Sequence, residues 1–302
     1  MSGRMLISRS SISRVVHNCY IPGLQRYWLS GWEEMRGVAA GSGVSIEDIV
    51  MLNARYDLSH VKEKPAVEVA VEDSKAAEVA GSTTMENVGD EEQRVEVTEE
   101  CTSTIILAPA TRDGVVFTAQ NWDMFHRLVI ENAILYLEIH PDPSENIPTM
   151  FLVTEAGQLG RSGCNGAGLG GLTANSLQSN NDQAPGLSMP IPPSGALRRH
   201  FLDQSNYSVG LECISPIPRH VSFNIMVSSA DDIGMCLEVT PRMIFISSGS
   251  EKRYLVHSNH FQTAPFLPQT QIADTYLGGS SWYRGERLKA GLREQAQKEN
   301  LI

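Results

Sequence analysis

Residues 61–100 set the strongest constraint on how this 302-residue chain can fold. They hold twelve acids against four bases (Lys62, Lys64, Lys75 and Arg94) and no aromatic residue. Such a stretch has too little apolar surface to offset its ordering entropy, so it reads as a flexible or loosely helical linker, or else as an acidic docking tail. A packed core must then come from residues 1–60 and 101–302. The segment also carries twelve acids less four bases, a net −8 of the chain's −11, so the acidity says little about the rest. What remains shows no basic stripe for nucleic acid and no attraction to anionic membranes. No run approaches the roughly 18 apolar residues of a membrane-spanning helix. Five cysteines without regular spacing make neither a disulfide framework nor a zinc knuckle, and they suit a reducing compartment.

Before the acidic segment, Met1 to Ser30 carries Arg4, Arg9, Arg14 and Arg26, many serines and no acid. This bias fits either a mitochondrial transit peptide or an ordinary surface helix, and no apolar stretch suits a secretory signal. The pattern is left unassigned over 1–26. From 27 to 60 it is helical. Trp28, Trp32, Met35 and Val38–Ala39 recur at helical spacing, and Gly41-Ser42-Gly43 breaks the helix. Ser45 with Asp48 starts another, predicted to turn Ile46, Ile49, Val50 and Leu52 inward.

After it, residues 101–302 read as β-rich. Thr102–Leu107 and Val115–Ala119 flank an Arg112-Asp113-Gly114 turn. Further strands are expected at Ala133–Ile139, Thr149–Thr154, Gly168–Asn175, Ser222–Ser228, Met235–Val239, Met243–Ser247 and Tyr254–His257, with helices at Ser194–Ser205 and from Ser281. The pattern is α+β, with helices covering antiparallel sheets.

Cys101 stands where the acidic segment meets the first strand. Cut free there, its own α-amine could serve as base for its thiol, so no separate histidine is needed; the alternative is an inert buried thiol. Asp123 ends the hairpin that Cys101 opens, where it could orient the amine or a substrate or merely cap a turn. Asn259, after the strand ending at His257, could donate to a developing oxyanion. His257 and His260 alone make a weak metal pair, and no metal is expected. The glycines between Gly157 and Gly171 complete no phosphate loop and suit tight hairpins and close sheet packing.

Taken in order, several stretches resemble the acyl-coenzyme A:isopenicillin N acyltransferase family of N-terminal-nucleophile hydrolases: WEEMRGVAAGSGVSIEDIVMLN (Trp32–Asn53), CTST (Cys101–Thr104) and AQNWDMF (Ala119–Phe125). They continue with FLVTEAGQLGRSG (Phe151–Gly163), NGAGLGGLTANSL (Asn165–Leu177), LVHSNH (Leu255–His260) and, more loosely, SWYRGER (Ser281–Arg287). The resemblance implies a four-layered αββα sandwich, made as a precursor and cut between Glu100 and Cys101 into two chains that stay associated. It implies Cys101 as nucleophile, Asp123 as the aspartate of the motif, and Asn259 in the oxyanion hole. The reaction would be acyl transfer from an amide or thioester, or its hydrolysis, on a small molecule, with no bound cofactor and acyl-CoA as a co-substrate.

Against the family pattern, Glu100 replaces a glycine, and the chain looks short at both ends. A family arginine that contacts the site is expected to be missing beyond Arg287. The ending Asn300-Leu301-Ile302 is not a peroxisomal address, so a cytoplasmic setting is expected. The alternative to an enzyme is an impaired relative that only binds a metabolite or a protein.

Overall fold

A computed structural model describes residues 9–59, 100–124, 127–182, 189–249, 253–263, 272–276 and 279–297. The linker expected at 61–100 lies outside the described residues except for Glu100. The helices before it are α1 (Arg9–Val15), a π-helical turn at Val16–Tyr20, α2 (Ile21–Tyr27), α3 (Leu29–Ser42), α4 (Ile46–Asn53) and α5 (Arg55–Ser59). Gly43 ends α3 in the left-handed region (φ 71°), and Ser45 starts α4 by accepting the Asp48 N–H at 3.1 Å. Ile49 and Val50 turn inward as the spacing predicts, whereas Leu52 is 38% exposed. The bias toward arginine and serine before residue 27 does not prevent packing. Val16, Cys19, Tyr20 and Leu24 are fully buried in one cluster with Trp28, Met35 and Ile49.

The body contains β1 (Glu100–Ile106), β2 (Phe117–Asp123), a short helix α6 (Arg127–Ile130), β3 (Ile134–Ile139), β4 (Met150–Glu155), β5 (Ser162–Asn165) and β6 (Leu169–Ser176). Then come α7 (Ser194–Leu202), α8 (Tyr207–Ile214), β7 (Phe223–Ser229), β8 (Ile233–Val239), β9 (Ile244–Ser248), β10 (Tyr254–His257) and α9 (Gly279–Gln297). The strands form two antiparallel sheets, one ordered β10-β1-β2 and one running β3 to β9 in sequence order. Three elements of the body escape the sequence pattern, the first being α6, a single turn of four residues. β5 (SGCN) is short and lacks large apolar residues, and α8 follows α7 after a break capped by Asn206.

Alternation along β7 divides its two faces. Phe223, Ile225 and Val227 pack with Leu197 and Phe201 of α7 and Ile214 of α8. Met226, on the other face, meets Ile105 of β1, so the two sheets lie face to face. On the far side of the small sheet, Ile106 and Val256 pack against Leu292 of α9. Gly171 shows how closely the sheets approach: its φ is +61°, and a Cβ there would lie 2.1 Å from the Thr118 Cβ of β2. Only glycine satisfies both conditions. The result is a mixed helix and sheet architecture. Among the described residues, no helix is long and apolar enough to cross a membrane.

Candidate active site

The site forms where two strands of the small sheet part company. β10 pairs with β1 from Tyr254↔Ile106 to His257↔Ser103 and stops there. Continued by two residues, that antiparallel register would set Asn259 opposite Cys101. The chain bends away instead, and the Asn259 side chain takes over the pairing: Oδ1 accepts the Cys101 backbone N–H at 2.8 Å. Cys101 is 2% exposed and lies, by strand alternation, on the face of β1 that meets the larger sheet. The Asn259 amide is fixed at both ends, because Nδ2 donates to the Ser176 carbonyl at 3.0 Å and to Ser176 Oγ at 2.9 Å.

Arg284 of α9 closes the site from the opposite side. Nη1 donates to the Cys101 carbonyl and to Thr102 Oγ1, each at 2.5 Å, and Nη2 donates to Asn259 Oδ1 at 2.9 Å. Arg284 lies before Arg287, so it is not the family arginine expected beyond that position. Sequence reasoning quoted Arg284 without giving it a role, since only the return of α9 across β1 brings it to the site. Glu100, across the peptide bond from Cys101, accepts from Tyr276 OH at 3.2 Å and Ser280 Oγ at 2.6 Å, and its Oε2 lies 3.5 Å from Arg284 Nε. Burial, and then the facing Glu100 carboxylate, push the Tyr276 phenol up to about 12, so it stays a donor at neutral pH.

The loop carrying Asn259 is tied down from the larger sheet. Glu238 of β8, 1% exposed, accepts His257 Nε2 at 2.8 Å, Gln262 N–H at 2.5 Å and Thr263 N–H at 3.0 Å. Burial alone would raise this carboxyl, but the His257 hydrogen bond and the Thr263 and Gln262 donors outweigh it and hold it below the ordinary range. Ser281 of α9 receives the Asn259 N–H at 2.8 Å and lies 2.7 Å from His260 Nδ1. His260 stacks on Trp282 at 3.9 Å, and burial, followed by the nearby His257, lowers it to about 4. The two histidines are therefore braces of the loop. Among the described residues no group of three or more His, Cys, Asp or Glu is arranged to hold a metal.

Cys101 and Asn259 meet although 158 positions apart. Asp123 does not join them. It ends β2 exposed, in register with Glu100, and alternation turns it to the face opposite the Cys101 side chain. Trp122 is the cross-strand partner of Cys101, and the Arg161 guanidinium lies 4.3 Å over its ring. Between the sheets, Asn175 Oδ1 accepts from Ser103 Oγ at 2.9 Å and Gln120 Nε2 at 3.0 Å, while its Nδ2 reaches Asn224 Oδ1 at 3.3 Å. A cavity of about 20 Å³, room for roughly one water, lies beside Asn175, Ser176, Arg161 and Tyr56.

Comparison with known proteins places the chain in a family. Residues 110–302 match the family model described as acyl-coenzyme A:6-aminopenicillanic acid acyl-transferase; the match contains Asp123, Asn259 and Arg284 and begins after Cys101. The chain is 26% identical over 238 residues to the 40 kDa form of acyl-coenzyme A:6-aminopenicillanic-acid-acyltransferase from Emericella nidulans, a span covering 78% of this chain and 53% of the relative. It thus spans about half the length of the curated relative it matches. Among solved structures, penicillin V acylase from Agrobacterium tumefaciens aligns with 52% of this chain and 44% of its own, at 10% identity and a TM-score of 0.30. With nearly two thirds of its length inside the family model, the chain belongs to the acyl-coenzyme A:6-aminopenicillanic acid acyl-transferase family.

Proposed function

We propose that this chain is a self-processing cysteine acyltransferase or amidohydrolase of the N-terminal-nucleophile kind, with Cys101 as its nucleophile. One observation carries the reading: the 2.8 Å hydrogen bond from Cys101 N to Asn259 Oδ1. It grips the atom that a cut between Glu100 and Cys101 would turn into an α-amine, a base with an ordinary pKa near 7.7–8.0. That amine takes the thiol proton, and Sγ attacks an amide or thioester carbonyl. The S–C bond forms, the C–N or C–S bond breaks, and the leaving group departs with the proton. Water or an amine then takes the acyl group from the thioester. The Arg284 guanidinium, lying against the Cys101 carbonyl, is placed to serve the oxyanion, and Asn259 joins it only when Nδ2 turns from Ser176, since Oδ1 is the atom now facing Cys101. Asp123, exposed beyond Glu100, suits a role facing the substrate better than one orienting the amine.

The stacking of α7 and α8 on the larger sheet, and of α9 on the smaller, supports a four-layered αββα arrangement. Buried contacts from the N-terminal helices support a 1–100 chain that stays bound after the cut. Examples are Trp28 Nε1 to Asp203 Oδ2 at 2.8 Å and Asp57 to the Ser194 N–H at 2.9 Å. Acyl-CoA is the proposed co-substrate and a small secondary metabolite the proposed partner in the reaction.

Intact mass spectrometry tests the processing. Wild type is expected to yield two chains meeting at Glu100–Cys101, and Cys101→Ala a single 33.1 kDa species. An uncut wild type matching Cys101→Ala sinks the reading. The second reading, a binding module without turnover, is favoured by the three side chains that hold Glu100 and thereby stabilise the uncut chain. Thiol labelling separates the two, since Cys101 reacting no faster than the buried Cys236 supports the binding module.

A further inference from the structure

Glu100 stands immediately before Cys101, and its side chain is held in place. Its carboxylate sits among three donors: Tyr276 OH at 3.2 Å, Ser280 Oγ at 2.6 Å and Arg284 Nε at 3.5 Å. The Arg284 Nε–H is buried and makes no hydrogen bond of its own, so it is left to face that carboxylate. These donors come from α9 and the segment just before it, whereas Glu100 comes from β1. Neither Tyr276 nor Ser280 donates to any other side chain among the described residues. The arrangement is built around a negative charge.

We propose that this cluster is the acyl-side specificity pocket, and that it selects acyl groups carrying a carboxylate three carbons beyond the reacting carbonyl. The inference rests on the nucleophile reading of Cys101. In self-cleavage, Cys101 Sγ attacks the carbonyl of Glu100; in turnover the same atom attacks the carbonyl of the substrate. The two carbonyls must therefore occupy one position, and what is attached to the substrate carbonyl follows the path of Glu100. In glutamate, Cα, Cβ and Cγ separate the main-chain carbonyl carbon from the carboxylate carbon. A half-amide or half-thioester of a five-carbon dicarboxylic acid reproduces that spacing. Its amide is cleaved as above: the S–C bond forms, the amine leaves with the thiol proton, and water releases the diacid and restores the thiol. Charge-assisted hydrogen bonds from a phenol and a hydroxyl, with a guanidinium paired beside them, are stronger than those to a neutral amide group, which is the basis of selection.

Two measurements on the full chain test this. In Glu100→Gly, which empties the pocket without touching its donors, ligand-observed NMR should show binding of propionate, the missing side chain, and none of neutral propionamide. Binding should weaken by about tenfold or more when Tyr276→Phe and Ser280→Ala are added, as expected for two lost hydrogen bonds to a charged group. In the processed wild type, kcat/KM should favour glutaryl-p-nitroanilide over its terminal primary amide by about tenfold or more, with the ratio falling toward one in the Tyr276→Phe/Ser280→Ala variant. No propionate binding, or glutaryl and amide substrates turned over equally, overturns the proposal and leaves the nucleophile reading standing. Propionate binding with neither anilide turned over overturns the nucleophile reading, and the assignment of the pocket to a substrate falls with it.

Discussion

The two faces of the seven-stranded sheet use the same strands for opposite purposes. Toward α7 and α8, β7 shows Phe223, Ile225 and Val227, and the layer is filled by Leu152, Leu172, Leu197, Phe201 and Leu237, all at or near zero exposure. Toward the small sheet, the same strand shows Asn224 and Ser228, and the layer holds Ser103, Gln120, Asn175, Glu238 and His257 in one hydrogen-bonded web. Apolar packing is non-directional and tolerates small shifts, whereas a buried polar group is satisfied only at set distances and angles. The first face supplies stability and the second supplies geometry. Cys101 lies on the second.

Substitutions on the two faces should fail differently. Phe201→Ala should have the largest effect on stability, about 3–5 kcal/mol in denaturant unfolding, with the cut at Glu100–Cys101 still occurring in the folded fraction. Equal loss of processing per folded molecule would break the contrast. Asn175→Ala, which strands the hydrogen bonds of Ser103 and Gln120, should cost less stability, about 1–3 kcal/mol. It should nevertheless slow processing more than Phe201→Ala does, as read by mass spectrometry over time.

Acid sharpens the comparison. His260, lowered to about 4 from an ordinary 6.5, binds a proton more readily unfolded than folded. Its contribution to stability is therefore complete above pH 6.5 and is lost as pH falls through about 4. Thermal midpoints measured over that window should fall less in His260→Gln than in wild type, and parallel curves would refute the assignment. The smallest effect belongs to the surface. Lys289, paired with Glu286 at 3.0 Å one helical turn away, should change unfolding by no more than about 0.5 kcal/mol as Lys289→Ala.

These two faces were unequally legible in the sequence. The run FNIMVSS already shows apolar residues at every second position, so the strand and its helix-facing side follow from alternation alone. Most other strands were bounded to within a residue or two for the same reason. The polar face was harder. Nothing local says that Asn175 bonds Ser103, or that Glu238 holds the loop after His257, because each pair is joined only by sheet stacking. Cys101 and Asn259 were singled out from motif positions, whereas Arg284 needed the return path of α9. Asp123 depended on register: one residue of strand offset turns a side chain to the other face, and no composition argument reveals that offset.

The N-terminal helices raise one last point, because they are sewn into the body by charge as well as by apolar contact. Arg55 pairs with Glu155 across 100 positions, and Glu34 meets Arg199 at 3.0 Å. In an uncut chain these contacts close loops. If the backbone is severed before Cys101 as proposed, the same contacts join two molecules, and unfolding of that pair becomes a dissociation. Its midpoint should then rise with protein concentration, as it does for any heterodimer and for no single chain.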